Sequence, residues 1–289
     1  MSILVTGSNG QVGRAIKMHS AKSHFTFDFT DRNSLDIADK EAVFAYILGL
    51  KPKIIINTAA YTAVDKAEEE EGNCYAINAD ALGYIAQANN QLEEPAFIIH
   101  ISTDYVYHSD HELIMDENES TNPQSVYAKS KLKGELLLKE YAENFLVLRT
   151  SWVYDEDGKN FVNTMDRLGS QRAELNVVSD QIGSPTYAGD IAKVILDIVD
   201  KINQGEQDKL AGKTFNFSNE GFTNWSEFAV EIMRIKNHNC AIHPILTSEY
   251  PTAAKRPLNS RMDKSLIKKT LGIDIPNWKD SLSYCLKEK

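Results

Sequence analysis

The stretch that decides the fold is Ile3-Leu4-Val5-Thr6-Gly7-Ser8-Asn9-Gly10-Gln11-Val12-Gly13. Its apolar start predicts a strand, and the glycines that follow predict a tight turn into a helix. Gly7 permits the turn, Gly10 lets the backbone approach a pyrophosphate, and Gly13 allows the helix to pack closely on the sheet. The free N–H groups at the start of the helix, at Gln11 and Val12, would bind the phosphate charge. The spacing is G-x-x-G-x-x-G, so the alternative is a glycine turn that binds nothing.

Further apolar runs follow this first strand at residues 25–29, 53–57, 97–101 and 145–149. These runs are continuous rather than alternating, which is typical of strands buried on both faces of a parallel sheet. The segments between them, such as 39–50 and 74–90, are long enough for crossover helices. The sequence therefore predicts an α/β protein with a doubly wound parallel (Rossmann) sheet.

The pattern changes after residue 151. Residues 1–151 are expected to form a nucleotide-binding domain, with strands returning to its sheet from about residues 176–219. Residues 152–289 are expected to be mainly a smaller C-terminal substrate-binding region. Strands are predicted around 177–178 and 214–217, and helices over 225–235 and 263–271.

Composition excludes several classes of protein. The 289 residues carry 31 basic and 41 acidic side chains and a net charge of −10. An acidic chain without a basic tract is a poor candidate for binding nucleic acid or an anionic membrane. We see no secretory signal and no apolar run long enough to span a bilayer, so we expect a cytoplasmic protein. Cys74, Cys240 and Cys285 are odd in number and scattered, which predicts reduced thiols rather than disulfides or a metal cage.

The end of the second strand should carry the group that reads the adenosine ribose of a dinucleotide. Asp31 would accept hydrogen bonds from the ribose hydroxyls, whereas the adjacent Arg32 would attract a 2′-phosphate. The choice between NADH and NADPH therefore stays open. Asp28 lies near the same spacing, and we interpret it as a solvated loop charge.

Catalytic candidates follow the fourth strand. Ser102-Thr103-Asp104 lies at the carboxyl edge, where ligands of such sheets bind. Asn122-Pro123 then predicts a helix start. Within that helix Tyr127 and Lys131 are four residues apart and share one face. An ammonium would lower the phenol pKa from about 10, so that Tyr127 could protonate a ketone oxygen as hydride reaches the carbon. Two surface residues on a helix are the alternative.

These motifs resemble the extended short-chain dehydrogenase/reductase family, and within it the reductases of nucleotide-linked 4-keto sugars. The resemblance spans nearly the whole chain and extends to AAYTAVDKAE (59–68), STDYVY (102–107), RTSWVY (149–154), DQIGSPT (180–186) and RPLNS (256–260). It implies an NADPH- or NADH-dependent oxidoreductase that reduces the C4 ketone of a dTDP-linked 4-dehydro sugar for surface polysaccharide. It casts Thr103, Tyr127 and Lys131 as the catalytic set.

The expected binding residues divide into two sets. The cofactor set is Gly7, Gly10, Gln11, Val12, Gly13, Asp31, Arg32, Asp36, Ile37, Ala59, Ala60, Tyr61, Tyr127 and Lys131. The substrate set is Thr103, Asp104, Trp152 and Arg256, the last as a contact to diphosphate because arginine matches phosphate geometry.

Alternative functions stay open. Related dehydratases place a Glu where this chain has Tyr105, so elimination is disfavoured. An epimerase, or a regulatory subunit like that of methionine adenosyltransferase, is not excluded. The stretch Tyr107-His108-Ser109 departs from the Phe-Asp-Gly pattern of many relatives and leaves fine substrate preference open. The oligomeric state is not readable, with a homodimer among the options.

Several residues receive structural interpretations. We expect Glu68 to Glu71 to form a solvated face, and His108 and His111 to be surface residues rather than metal ligands. We see no metal site, and we assign Trp225 and Trp278 to packing.

Overall fold

The computed structural model describes residues 1–108 and 113–287. Its strands, in chain order, are β1 (Ser2–Thr6), β2 (Thr26–Thr30), β3 (Ile54–Asn57), β4 (Phe97–Thr103), β5 (Phe145–Thr150), β6 (Val153–Tyr154), β7 (Glu174–Val178), β8 (Ile182–Gly183), β9 (Thr186–Tyr187), β10 (Lys213–Asn216), β11 (Thr223–Asn224) and β12 (Ala241–Ile245). Its α-helices are α1 (Gln11–His19), α2 (Lys40–Leu50), α3 (Glu71–Tyr75), α4 (Ala81–Asn89), α5 (Val126–Tyr141), α6 (Phe161–Gly169), α7 (Ala188–Asn203), α8 (Trp225–Lys236), α9 (Ser265–Leu271) and α10 (Trp278–Lys287).

The central element is a six-stranded parallel sheet with the order β10-β5-β4-β3-β1-β2. Every residue of β3 and β5 is buried, as continuous apolar runs predict. One face of the sheet packs on α1, α7 and α9, and the other on α2, α4 and α5. The predicted doubly wound fold is confirmed. Strand order reverses around β1, so the crevice for a ligand opens at the carboxyl ends of β1 and β3.

The C-terminal part adds small two-stranded sheets beside this layer. These are β7 with β12, β8 with β11 and β6 with β9. They surround a separate core that includes Phe228, Ile232 and Trp278. The strand expected around 214–217 does lie in the main sheet, as β10. The strand expected around 177–178 does not, because β7 pairs with β12 instead. Its residues alternate between exposed and buried, which suits a sheet with one solvated face.

The helix that carries Tyr127 starts later than predicted. Asn122-Pro123 stays in the preceding loop, where the Asn122 N–H donates to the Val106 carbonyl at 2.8 Å. Ser125 is the N-cap, and its hydroxyl accepts from the Ala128 N–H at 3.2 Å. The prediction of an Asn122 cap is therefore wrong, since the serine nearer the helix satisfies the first-turn donors.

Three side chains expected to be solvated have protein partners. Asp28 lies within β2 and accepts from the Tyr46 hydroxyl at 3.0 Å, so it is not a loop charge. Glu68 accepts from the Val126 N–H at 2.9 Å, which places a negative charge at the N-terminus of α5. His108 is only 6% exposed rather than a surface residue. Ser109 and His111 lie outside the described residues.

Among residues 1–108 and 113–287, no helix combines the length and apolarity needed to cross a bilayer. All three cysteines are buried and none forms a disulfide. Over the same described ranges, no cluster of His, Cys, Asp or Glu has the arrangement of a metal site.

Candidate active site

The glycine loop occupies the crevice between β1 and β3. Gly7 has φ of 73°, a conformation that favours glycine, and its carbonyl accepts from the Gly10 N–H at 2.9 Å. A Cβ on Gly7 would lie 2.6 Å from the backbone of Ala59, and one on Gly13 would lie 2.4 Å from the Gly7 oxygen. Both positions therefore require glycine. Gly10 is the N-cap of α1, and the first-turn N–H groups of that helix have no intrahelical acceptor.

The residues expected to read the adenosine ribose lie beside this loop. Asp31 accepts from the Asn9 side chain at 2.7 Å and from the backbone of Asn33 and Ser34. Hydrogen bonds from the Ser34 backbone and hydroxyl lower the Asp31 pKa, which keeps the group a carboxylate. The Arg32 side chain is 77% exposed, and its Nε lies 3.6 Å from Asp36 Oδ2. The structure thus places the Asp31 carboxylate beside Asn9 of the glycine loop and leaves the Arg32 guanidinium exposed.

Asn78 organises the loop after β3, although no motif in the sequence points to this residue. It lies in a π-helical turn, Ala76–Asp80, between α3 and α4. Its side chain bonds to the Tyr61 N–H at 2.8 Å, the Tyr61 carbonyl at 3.1 Å and the Ser130 hydroxyl at 3.0 Å. Asn78 therefore holds the loop that follows Ala59 and Ala60 against the helix that carries Lys131. Ile37, another residue expected at the cofactor, is buried in the core under α2.

Thr103, Asp104 and Tyr127 meet at the carboxyl end of β4. The Thr103 hydroxyl donates to Asp104 Oδ1 at 3.1 Å. Burial raises the Asp104 pKa to about 6. Tyr105 packs edge-on against the Tyr127 ring, with centroids 5.8 Å apart. Burial raises the Tyr127 pKa above its ordinary value, and only the Thr103 hydroxyl opposes this.

Lys131 does not act on Tyr127 as the sequence predicted. Its Nζ donates to the Ile101 carbonyl at 2.7 Å and lies 3.2 Å from His100 Nε2, so it is directed toward the sheet. Burial lowers the Lys131 pKa to about 8, partly offset by Glu135. Burial raises the Tyr127 pKa and Lys131 does not oppose that shift, so the expectation that the ammonium lowers the phenol pKa is wrong.

Trp152 forms an aromatic stack above the carboxyl end of β5. Its φ is 48°, a left-handed conformation that is rare for a bulky residue. The ring stacks on Trp225 with centroids 3.7 Å apart and an interplanar angle of 15°. Trp225 donates from Nε1 to Gln181 at 3.0 Å. Trp225 packs against Trp152, as the assignment to packing predicted, and its ring also lines a cavity.

That cavity has a volume of about 630 Å³ and adjoins the aromatic stack. Its wall combines apolar residues with two arginines, and includes Phe161, Leu168, Val177, Trp225, Arg172 and Arg256. Arg256, expected to contact diphosphate, is paired with Asp65. Aromatic faces, aliphatic walls and nearby guanidinium groups suit a ligand with a planar ring and a phosphate.

The glycine loop at the reversal of strand order, with Thr103 and the Tyr127–Lys131 pair beyond β4, defines the class as the extended short-chain dehydrogenases/reductases. Within that class, the chain belongs to the RmlD substrate binding domain family, whose model matches residues 1–289. The resemblance predicted from the motifs is confirmed.

The similar proteins carry consistent names. A dTDP-4-dehydrorhamnose reductase of Aggregatibacter actinomycetemcomitans is 39% identical over 97% of this chain and 96% of its own. The structure of such a reductase from Clostridium acetobutylicum ATCC 824 has a TM-score of 0.93 and 38% identity, covering 100% and 99% of the two chains. One from Bacillus anthracis str. Ames, solved in complex with NADP, has a TM-score of 0.92 and 35% identity, with 100% and 99% covered. A UDP-glucose 4-epimerase from Brucella ovis, at 18% identity, a TM-score of 0.82 and coverage of 98% and 96%, shares the fold.

Proposed function

We propose that this chain reduces the C4 ketone of dTDP-4-dehydro-L-rhamnose to dTDP-L-rhamnose with NADPH or NADH. The observation that carries the proposal is the hydrogen bond between the side chains of Thr103 and Tyr127, with Lys131 one turn further along α5, in a chain of the RmlD family. The named relatives support the reaction.

The residues around the crevice fit a dinucleotide. The two glycine positions that a Cβ would fill leave backbone N–H groups of α1 open to a pyrophosphate. Asp31 and Arg32 would bind the ribose hydroxyls or a 2′-phosphate, and Ala59, Ala60 and Tyr61 would lie along the cofactor. When bound, the reduced nicotinamide supplies the hydride.

Tyr127 is the proposed proton donor. Its raised pKa keeps the phenol protonated near neutral pH, which is the form that can donate to the ketone oxygen. The Thr103 hydroxyl would hold the same oxygen in place. Donation leaves a phenolate, and the ammonium of Lys131, on the same face of α5, would stabilise that charge as it develops. This changes the role of Lys131 from lowering the resting pKa to stabilising the product of proton transfer.

The substrate would occupy the cavity that adjoins the stack of Trp152 on Trp225. We assign Trp152 and Asp104 to the sugar, and Trp225 to an aromatic wall of the nucleotide pocket. Arg256 would contact the diphosphate, with Arg172 as a second cation on the wall. We also propose that the nucleotide-binding domain and the substrate-binding region divide near residue 151, and that the protein is cytoplasmic. A reductase of another nucleotide-4-keto sugar would use the same groups.

The test is an assay of purified protein with a panel of nucleotide-linked 4-keto sugars, each with NADPH and with NADH, followed by the absorbance of the reduced nicotinamide. We expect steady oxidation with dTDP-4-dehydro-L-rhamnose. Tyr127→Phe should lose roughly 10²–10⁴ of the rate while still binding cofactor, because it loses only the donor hydroxyl. The matched control is Tyr141→Phe at the other end of α5. Reduction of no sugar by the wild-type protein would refute the function, and undiminished turnover by Tyr127→Phe would refute the mechanism.

A further inference from the structure

A chain of polar side chains crosses the sheet beneath the proposed catalytic residues. Thr6 Oγ1 donates to Asn57 Oδ1 at 2.6 Å, Asn57 Nδ2 lies 3.1 Å from His100 Nδ1, and His100 Nε2 lies 3.2 Å from Lys131 Nζ. The four residues come from β1, β3, β4 and α5, and each is at most 2% exposed. The end of the strand that leads into the glycine loop is therefore connected to Lys131.

These four hydrogen-bonded side chains lie in a part of the sheet that is otherwise apolar. Their neighbours on the same strands include Ile56 and Ile99, both fully buried. Burying a polar side chain costs free energy unless its hydrogen bonds are made inside the protein. An aliphatic residue at position 100 would serve packing alone. The ring nitrogens of His100 instead contact Asn57 on one side and Lys131 on the other.

The charge state of this site is set by a few groups. The titratable groups that face Lys131 are Glu135 on its own helix, Cys74 from α3 and His100 from β4. Glu135 favours the ammonium, whereas burial opposes it. Burial and the Lys131 charge both hold the His100 pKa well below 6.5, so the imidazole is neutral at working pH.

We propose that His100 is a positioning residue for Lys131, and that the tautomer of His100 is tied to the charge of Lys131. A neutral imidazole has one donor and one acceptor nitrogen. An ammonium can only donate, so a charged Lys131 requires His100 Nε2 to accept and Nδ1 to carry the proton. The Asn57 carboxamide oxygen must then face Nδ1.

The neutral amine requires the opposite arrangement. His100 Nε2–H then donates to Lys131 Nζ, and Nδ1 accepts from the Asn57 amide nitrogen, which is the atom that faces it in the structure. In going from amine to ammonium the network takes up one proton from solvent. Lys131 Nζ ends with one more proton, the ring proton changes from Nε2 to Nδ1, and the Asn57 amide turns over, so that Thr6 Oγ1 accepts from Asn57 Nδ2 instead of donating to Oδ1.

The part of this inference that concerns turnover rests on the proposed function. His100→Leu removes an acceptor of the Lys131 ammonium, so the ammonium should lose its proton at lower pH. We expect the alkaline limb of the kcat–pH profile to move down by about one to two pH units, the equivalent of one hydrogen bond to a charged group. His100→Gln should move the alkaline limb most of the way back to its wild-type pH, because the carboxamide oxygen of glutamine can accept from Lys131 Nζ. Val147→Ala, which creates a cavity in the same sheet, should lower Tm and leave the alkaline limb at its wild-type pH.

A second measurement needs neither substrate nor turnover. In the full chain with ¹⁵N-labelled histidine, the His100 ring should stay neutral while its proton moves from Nδ1 to Nε2 as pH rises through the Lys131 pKa of about 8. Lys131→Met should abolish that change. A single tautomer at every pH in the wild type, or a His100→Leu enzyme with an unmoved limb, would overturn the inference while leaving the reductase function standing. A tautomer change in a protein that reduces no keto sugar would support the inference and refute the function.

Discussion

Asp65 and Arg256 form a bidentate ion pair, in which Arg256 Nη1 lies 2.9 Å from Asp65 Oδ1 and Arg256 Nη2 lies 2.6 Å from Asp65 Oδ2. Asp65 lies in the segment that follows β3, whereas Arg256 belongs to the C-terminal part and lines the cavity of about 630 Å³. The Ala254 N–H also donates to Asp65 at 3.1 Å. The hydrogen bonds from Arg256 lower the Asp65 pKa. The pair therefore joins the two parts of the chain beside the proposed substrate site and fixes the guanidinium there.

Arg256→Lys should weaken substrate binding without affecting the cofactor. Lysine keeps the charge but lacks the planar guanidinium, which can hydrogen-bond to both Asp65 and a phosphate. We expect the KM for the nucleotide sugar to rise about tenfold, equivalent to about 1.4 kcal/mol, with the KM for NADPH unchanged. Asp65→Asn should raise the same KM by less, and the double variant should be less than additive. Arg234→Lys, in an exposed pair with Glu231, is the control. Equal KM values for Arg256→Lys and wild type would remove Arg256 from the substrate site.

Cofactor preference should respond to Asp31 and Arg32 in opposite directions. The Arg32 side chain is exposed and only loosely paired, so it is available to a 2′-phosphate. Arg32→Ala should raise the KM for NADPH about tenfold and change that for NADH little. Asp31→Ala should favour NADPH, because it removes a carboxylate that repels the phosphate. The control is Lys209→Ala, just before β10 at the opposite edge of the sheet. If Arg32→Ala changes the KM for NADPH and the KM for NADH by the same factor, Arg32 does not bind the 2′-phosphate.

Local patterns such as the glycine spacing that includes Gly13 could be interpreted from the sequence, whereas the contacts of Trp225 could not. The glycine spacing, the apolar runs and the interval from Tyr127 to Lys131 are local patterns, and they predicted the sheet and the elements that carry the site. The stack of Trp152 on Trp225 and the contact of His100 with Lys131 join residues far apart in the chain. No local pattern encodes such contacts. The direction of the Tyr127 pKa was missed for the same reason, since burial depends on the whole fold.

Gly13→Ala should damage both the fold and the cofactor site. The new Cβ would lie 2.4 Å from the Gly7 oxygen and 2.7 Å from Ser8 Cα, and backbone atoms of a tight turn cannot move aside cheaply. We expect a loss of roughly 1–3 kcal/mol in the free energy of unfolding and much weaker binding of NADPH by fluorescence titration. Gly49→Ala in α2 is a matched control, because its Cβ would meet nothing within 4 Å. It should be neutral or stabilising by up to about 1 kcal/mol. Normal NADPH binding by Gly13→Ala would contradict the packing argument.

Asp104 should make the protein less stable as pH rises. The side chain is 2% exposed, its Oδ2 has no hydrogen-bond partner among the described residues, and burial raises its pKa from 3.8 to about 6. The folded state therefore binds the proton more tightly than the unfolded chain. The stability gained from the protonated form is complete below pH 3.8 and is lost as pH rises through about 6.

Asp104→Asn replaces that carboxyl with a group that stays neutral. We expect the variant to gain up to about 3 kcal/mol relative to wild type above pH ~7, with the difference disappearing below pH ~4. Denaturant unfolding at several pH values measures it, with the exposed Asp208→Asn as the control. The same variant should lose turnover, because the proposed sugar contact is altered, and a gain in stability at the expense of activity is typical of a functional site. A stability difference that does not change with pH would show that Asp104 is not held in an environment that disfavours its charge.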